Sequence, residues 1–362
     1  MAKKIGVLTG GGDCPGLNAV LRAVVKTAMI KYGWEVIGFK DGYRGLVLND
    51  YVEFKANDVS GILDKGGTIL GSSNKDNPFK FKVDLDSGNS EYKDMSKECL
   101  KNIKDHKIDC MVLIGGDGTL TSGRDFAKMG VDVVGVPKTI DNDLYGTDYT
   151  FGFMTAVDTA TEAVDKLHST AESHHRVMIL EVMGRNAGWI ALESGIAGGA
   201  DVILIPEIPY DIDKVCETIN KRKKSGKHFS IIVISEGARP VGGEVSVARV
   251  IADSPDPIRL GGIGNKIADQ IENITGIETR VTVLGHLQRG GRPNPFDRIL
   301  STRYGVGAVD FINSGISGVM VALQDGEIKP ITIESAVNKL KLVDPEGELV
   351  KITKDLGVGF GD

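Results

Sequence analysis

The chain has 362 residues, 41% of them hydrophobic and 25% charged, with a formal net charge of -6. This is the composition of a globular protein with length enough for two domains. The acidic balance argues against nucleic acid and anionic membrane as partners, and no window is apolar over the roughly 18 residues that a membrane span needs.

The start, MAKKIGVLTGGGD, has too short an apolar stretch for a signal peptide and runs straight into a glycine turn. KIGVL at 4–8 reads as a strand, and PGLNAVLRAVVKTAMI at 15–30 as a helix with Pro15 near its first turn. WEVIGF (34–39) returns to strand. The polar, turn-rich segment 71–94 predicts a long surface loop. MSKECLKNIKDH (95–106) is helical, and CMVLI (110–114) and VDVVGV (131–136) are buried strands. Phe153, Val157, Ala160, Val164 and Leu167 mark one face of an amphipathic helix. RVMILEV (176–182), DVILIP (201–206), FSIIVIS (229–235) and TRVTVLG (279–285) are further strands, with a helix over 265–274. KRKK at 221–224 closes a helix, where it suits the helix dipole and faces water. Cys14, Cys99, Cys110 and Cys216 show no CxxC spacing and no histidine partners. Free thiols in a reducing cytoplasm are expected, not structural zinc.

The alternation of strand and helix predicts an α/β protein with mostly parallel sheets and helices on both faces. About ten strand signals are many for one sheet, so two Rossmann-like lobes are expected, with the active site in the cleft between them.

Three loops follow strands and carry chemistry. Thr9-Gly10-Gly11-Gly12-Asp13 offers backbone N–H groups at a helix N-terminus, suited to phosphate, yet lacks the GxGxxG and GK[ST] spacings. In GGDGT (115–119) the glycines admit phosphate oxygens, Asp117 suits Mg²⁺, and Thr119 offers a hydroxyl or a helix cap. In TIDND (139–143) Asp141 is the candidate general base for an attacking alcohol, with Asp143 in support. Glycine backbone, a metal acid and a second acid cluster together suggest phosphoryl transfer. Arg176, Met183-Gly184-Arg185, Glu236, Arg280 and His286-Leu287-Gln288-Arg289 read as polar positions that end strands. Arginine forks match phosphate there.

These blocks resemble the phosphofructokinase family: LTGGGDCPGLNAV, GGTILGSS, IGGDGT, TIDNDLYGTDYTFGF, EVMGRNAGWIAL, AGGAD, TRVTVLGHLQRGG and PFDRIL stand in that family's order. GGDGT alone is shared with NAD and lipid kinases; TIDND, MGR and LGHLQRGG separate the chain from them. The resemblance implies transfer of a phosphoryl group from MgATP to the 1-hydroxyl of fructose 6-phosphate. Asp141, Asp143 and Arg185 occupy the catalytic positions it implies. Gly11, Tyr43, Asn74, Lys75, Gly116, Asp117, Gly118, Thr119 and Lys138 occupy donor positions, with Asp117 on Mg²⁺. Thr139, Met183, Gly184, Arg185 and Glu236 match sugar positions, and His286 and Arg289 the 6-phosphate pocket. Arg176 and Arg280 match positions donated by a neighbouring subunit, so a homodimer or homotetramer with shared sites is implied. The implied domains are 1–150 with roughly 287–330 for the donor, 151–286 for the sugar phosphate, and 331–362 as a C-terminal extension.

Two departures bear on the donor. Asn74 stands where ATP-dependent bacterial members carry Arg, and Lys138 stands where many of them carry Gly. Pyrophosphate-dependent members carry Asp after the metal acid, and a carboxylate there crowds and repels a nucleotide. Gly118 removes that obstacle, so the resemblance favours ATP, with pyrophosphate as the alternative. A catalytically silent regulatory or binding subunit is the alternative of another class. Retention of Asp117, Asp141 and Arg185 argues against it.

Overall fold

The computed structural model describes residues 3–84, 90–250 and 258–362. In chain order the strands are β1 (Lys4–Thr9), β2 (Glu35–Phe39), β3 (Tyr51–Glu53), β4 (Phe81–Asp84), β5 (Ser90–Lys93), β6 (Cys110–Gly115), β7 (Val133–Pro137), β8 (Val177–Val182), β9 (Val202–Leu204), β10 (Ser230–Ser235), β11 (Val247–Val250), β12 (Ile258–Leu260), β13 (Thr279–Val283), β14 (Val319–Gln324) and β15 (Glu327–Thr332). The helices are α1 (Leu17–Lys26), α2 (Tyr43–Leu48), α3 (Ser96–Asp105), α4 (Asp117–Lys128), α5 (Phe153–His174), α6 (Trp189–Ala197), α7 (Ile212–Lys224), α8 (Ile263–Thr275), α9 (Pro295–Asn313), α10 (Ile333–Val337) and α11 (Glu348–Asp355).

The chain folds as two compact units. Unit 1 comprises Met1–Thr139, Leu144–Gly152 and Arg289–Leu340; unit 2 comprises Ile140–Asp143, Phe153–Gln288 and Lys341–Asp362. The C-terminal residues make no unit of their own: 331–340 belong to unit 1 and 341–362 to unit 2.

Unit 1 is built on a seven-stranded sheet in the order β15-β14-β7-β6-β1-β2-β3. Its inner strands are parallel, and β3 and β15 close the two edges in antiparallel pairing. Strands covered on both faces read as unbroken apolar runs, and β6 and β7 are buried along their whole length. Leu8, Phe39, Leu113, Leu120, Phe126 and Met320 lie in the core. Helix α9 packs on α1 so closely that a Cβ at Gly305 would stand 2.6 Å from Ala23 Cβ.

Unit 2 carries a four-stranded parallel sheet, β13-β8-β10-β9. Its core includes Ile179, Leu204, Ile232, Ile234, Ile263 and Ile267. Among the described residues, no helix is long and apolar enough to cross a membrane.

Two sequence expectations need correction. The segment 71–94 is not a loop throughout, because β4 and β5 pair as an antiparallel hairpin. Phe81 is buried in the core of unit 1, with Phe79 and Val83 packed beside it. Residues 85–89 of that segment lie outside the described ones. In KRKK, Lys221, Lys223 and Lys224 are exposed, but Arg222 turns inward and pairs with Asp201 at 2.7 Å.

Candidate active site

Three loops of unit 1 stand level at the carboxyl ends of adjacent parallel strands. Thr9 of β1 pairs with Ile114 of β6, and Ile114 with Val136 of β7. Open α/β sheets bind ligands at this edge. Gly10 N donates to Ile114 O at 2.9 Å and Lys138 N to Gly115 O at 3.1 Å, locking the loops together. Gly11 has φ +80, the left-handed region where a side chain is strained. Its N–H donates to Ser73 O at 2.9 Å and its carbonyl accepts from Ser72 Oγ at 2.6 Å. This places exposed Asn74 and Lys75 next to the glycine turn.

Asp117 opens α4, where a helix N-terminus favours negative charge. Burial by surrounding protein raises its carboxyl above the usual range, and Arg124 offsets part of that rise. A Cβ at Gly118 would meet nothing within 4 Å, whereas one at Gly115 would stand 2.3 Å from Thr119 Cβ. The first glycine therefore serves packing, and Gly118 leaves open space. Lys138 is 4% exposed and its Nζ donates to Gly12 O at 2.6 Å. Its charge lies under the loop backbone, not out in the solvent. The nearby Cys14 thiol is pushed up to about 12 by burial, with Lys138 pulling in the opposite sense.

Tyr43 packs against the GGDGT loop. It is buried, and Oη donates to Thr119 O at 2.8 Å.

The TIDND loop straddles the unit boundary, with Thr139 in unit 1 and Ile140–Asp143 in unit 2. Thr139 O accepts from Thr150 Oγ1 at 2.7 Å. Asn142 is buried with φ +51, a conformation asparagine tolerates better than most residues. Asp141 Oδ1 is shielded from solvent, and Asp143 O accepts from Lys341 N at 2.8 Å.

In unit 2 the carboxyl ends of β8, β10 and β13 carry a second set of loops. Val182 pairs with Ser235, and Val283 with Glu181. Glu236 N donates to Val182 O at 2.9 Å, which places Glu236 beside Met183-Gly184-Arg185. Gly184 has φ +133, and its carbonyl accepts from Gly237 N at 3.1 Å and from Ser235 Oγ. A Cβ at Gly237 would stand 2.0 Å from Arg185 O, so only glycine lets these loops approach. Gln288 is fully buried; its Oε1 accepts from Met183 N at 3.2 Å and its Nε2 donates to Gly285 O at 3.0 Å. His286, two residues away in the same 3₁₀ turn, is exposed. Arg289, in unit 1, donates from Nη1 to Asp13 O at 3.2 Å.

Arg176 and Arg280 are not at strand ends of that kind. Arg176 precedes β8, and Arg280 pairs with Met178 near the start of that strand. The length of β8 separates them from Arg185, roughly 20 Å at about 3.3 Å per residue. Glu278 gathers both: Arg176 Nε donates to Oε2 at 2.6 Å and Arg280 Nη2 to Oε1. The Arg176 hydrogen bond holds the Glu278 carboxyl below its usual value.

Ser235, Gln288 and Glu207 brace loop backbone in place; Gln288 stands in a block that the sequence already marks, whereas Ser235 and Glu207 sit at no motif position whose chemistry marks them. Glu207 Oε1 accepts from Gly188 N at 3.0 Å and from Val343 N at 2.9 Å.

Residues 4–312 match the family described as phosphofructokinase. The chain is similar to ATP-dependent 6-phosphofructokinase 2 of Clostridium perfringens, 61% identical over 361 residues and 99% of each chain. It is also similar to pyrophosphate–fructose 6-phosphate 1-phosphotransferase of Streptomyces coelicolor, 48% identical over 363 residues, 99% of this chain and 100% of that one. Among solved structures, Pichia pastoris phosphofructokinase in the T-state superposes with a TM-score of 0.79 at 33% identity. That match covers 93% of this chain and 35% of the longer yeast chain.

Proposed function

Because the chain belongs to the phosphofructokinase family, we propose that unit 1 carries the donor-binding loops and unit 2 most of the acceptor-binding loops. The reaction moves the terminal phosphoryl group of MgATP to the 1-hydroxyl of fructose 6-phosphate, a glycolytic step. The observation that supports the division most directly is the level alignment of the three unit 1 loops, with Asp117 at the mouth of α4.

In this reading Gly11, Gly116, Gly118 and Thr119 receive the donor phosphates, with Asn74 and Lys75 beside them. Lys138 keeps the glycine turn in shape through Gly12 O. Asp117 is the residue that would hold Mg²⁺, which when bound screens phosphate charge. Its oxygen donor suits a hard cation. Among the described residues no three His, Cys, Asp or Glu side chains gather as a metal cage, and a Mg²⁺ site completed by substrate phosphates needs none.

Asp141 accepts the proton of the 1-hydroxyl as that oxygen bonds to phosphorus. The bond from phosphorus to the bridging oxygen breaks, and ADP leaves with the electron pair. Asp143 supports Asp141 electrostatically, and Arg185 meets the charge that develops on the transferring group. Thr139, Met183, Gly184 and Glu236 orient the sugar, and His286 and Arg289 receive its 6-phosphate. Arg176 and Arg280, at the far end of β8, act on the sugar phosphate bound by a second copy, in a homodimer or homotetramer. Four free thiols support placement in the reducing cytoplasm.

The open space at Gly118 favours the nucleotide. Pyrophosphate is the second reading, supported by the cation at Lys138. A coupled assay with fructose 6-phosphate and Mg²⁺, run with ATP and then with pyrophosphate, tests both. Turnover with ATP is the expected result; turnover with pyrophosphate alone reverses the donor, and none with either sinks the assignment.

A further inference from the structure

We propose that residues 341–362 are a strap that positions the TIDND loop and the Met183–Gly188 loop, with Glu207 and Trp189 as its positioning residues. The catalytic meaning of the strap rests on the roles assigned above; its mechanical meaning does not.

The strap enters unit 2 through three backbone contacts. Lys341 N donates to Asp143 O at 2.8 Å, holding the last residue of TIDND. Lys341 O accepts from Trp189 Nε1 at 2.8 Å, and Trp189 is the first residue of α6. Val343 N donates to Glu207 Oε1 at 2.9 Å, the oxygen that also accepts from Gly188 N at 3.0 Å. Gly188 lies three residues beyond Arg185. One carboxylate and one indole therefore tie the approach to residue 143 to the segment that carries Arg185. Both side chains are half-buried, so water competes only in part for these hydrogen bonds.

The far end of the strap is anchored to the unit 2 sheet. Gly359 joins the edge strand β9: Ile203 N donates to Gly359 O at 2.9 Å, and Gly359 N to Asp201 O at 3.0 Å. Phe360 is buried beside it, and Asp211 N donates to Gly361 O at 2.7 Å. The edge of a parallel sheet is thus closed by the chain's own terminus. Both ends of the strap are fixed within unit 2, so residue 341 is held from behind while it holds residue 143.

Hydrogen–deuterium exchange on the full-length protein tests the strap with no substrate present. Glu207→Ala and Trp189→Phe should speed exchange about tenfold in peptides covering 140–143 and 183–188, and leave those covering 9–13 and 115–119 at the wild-type rate. With fructose 6-phosphate and MgATP, the same variants should lower kcat about tenfold with KM for ATP unchanged. Glu207→Gln keeps an oxygen that both N–H groups can reach, and should restore kcat to within about threefold of wild type. Unchanged exchange at both loops overturns the strap, as does an equal rise at all four loops. Gln no better than Ala overturns Glu207 as a positioning acceptor. If the wild type turns over no fructose 6-phosphate, the functional reading fails on its own, and the exchange result still decides the strap. Should Glu207→Ala not fold, Trp189→Phe, which keeps the ring and removes only the donor, carries the same test.

Discussion

Unit 1 shapes its candidate site by leaving side chains out, and unit 2 shapes its own by putting polar side chains in. In unit 1, Gly10, Gly11, Gly115 and Gly116 bring loop backbone close, and Gly118 leaves open space at the start of α4. Lys138 and the Ser72–Ser73 turn secure that backbone from beneath. In unit 2, Ser235, Gln288 and Glu207 each hold loop N–H or carbonyl groups from long range in the chain. The difference suits the ligands proposed. A polyanion is met by N–H groups and a helix N-terminus, which need bare backbone. A sugar needs donors and acceptors at fixed positions, which only held side chains and braced loops supply.

Removing the proposed base should have the largest effect. Asp141→Ala should lower kcat by roughly 10²–10⁴ with little change in KM for either substrate, measured by steady-state kinetics. Unchanged turnover would remove Asp141 from its role. On the other unit, Gly118→Asp should lower kcat/KM for ATP roughly 10²-fold more than for pyrophosphate, since an unpaired charge conflict costs several kcal/mol. The variant should keep the wild-type melting temperature, because its Cβ meets no neighbour and a carboxylate suits the first turn of a helix. Equal losses with both donors would show that position 118 does not read the donor.

Arg280→Ala acts from outside the single subunit in the proposed shared site. Loss of a charged hydrogen bond should raise KM for fructose 6-phosphate roughly 10- to 100-fold. Mixing Arg280→Ala subunits with Asp141→Ala subunits should recover activity if the sites are shared. Activity no greater than the sum of the parents would confine each site to one chain.

The smallest expected effect is on stability. Burial in α6 raises the Glu193 carboxyl from its usual value to about 7, with Lys341 opposing the rise. Below about pH 4.5 both folded and unfolded chains hold this proton, and the group contributes nothing. As pH climbs from there to about 7, the unfolded chain releases the proton first, and the folded state loses stability. Glu193→Gln should therefore stabilise by about 2 kcal/mol at pH 8 and by almost nothing at pH 4.5. Denaturant titrations at the two pH values check this; a gain independent of pH would rule out the burial argument.

The loops after β6 and β7 were legible because glycine and aspartate right after an apolar run carry their meaning locally. GGDGT and TIDND both stand at strand ends as expected. The braces were not legible, because Gln288 meets Met183 across 105 positions and Glu207 meets Val343 across 136. Arg176 and Arg280 looked like strand-end residues of the same kind as Arg185. A run such as RVMILEV shows that a strand exists, and only the position of the arginine at its first residue shows which edge it serves. The β4–β5 hairpin was hidden by its polar outer residues, since half of an exposed hairpin resembles a loop. Phe81 was its one strong signal.

Composition, apolar runs and glycine placement thus set the order of strands and helices and the chemistry available at each turn, because those preferences act over a few residues of backbone. Tertiary structure alone decided that Thr9, Ile114 and Val136 stand level and that residue 341 reaches residue 143. Register and long-range contact follow from how much surface the whole fold can bury, which no short stretch of sequence contains.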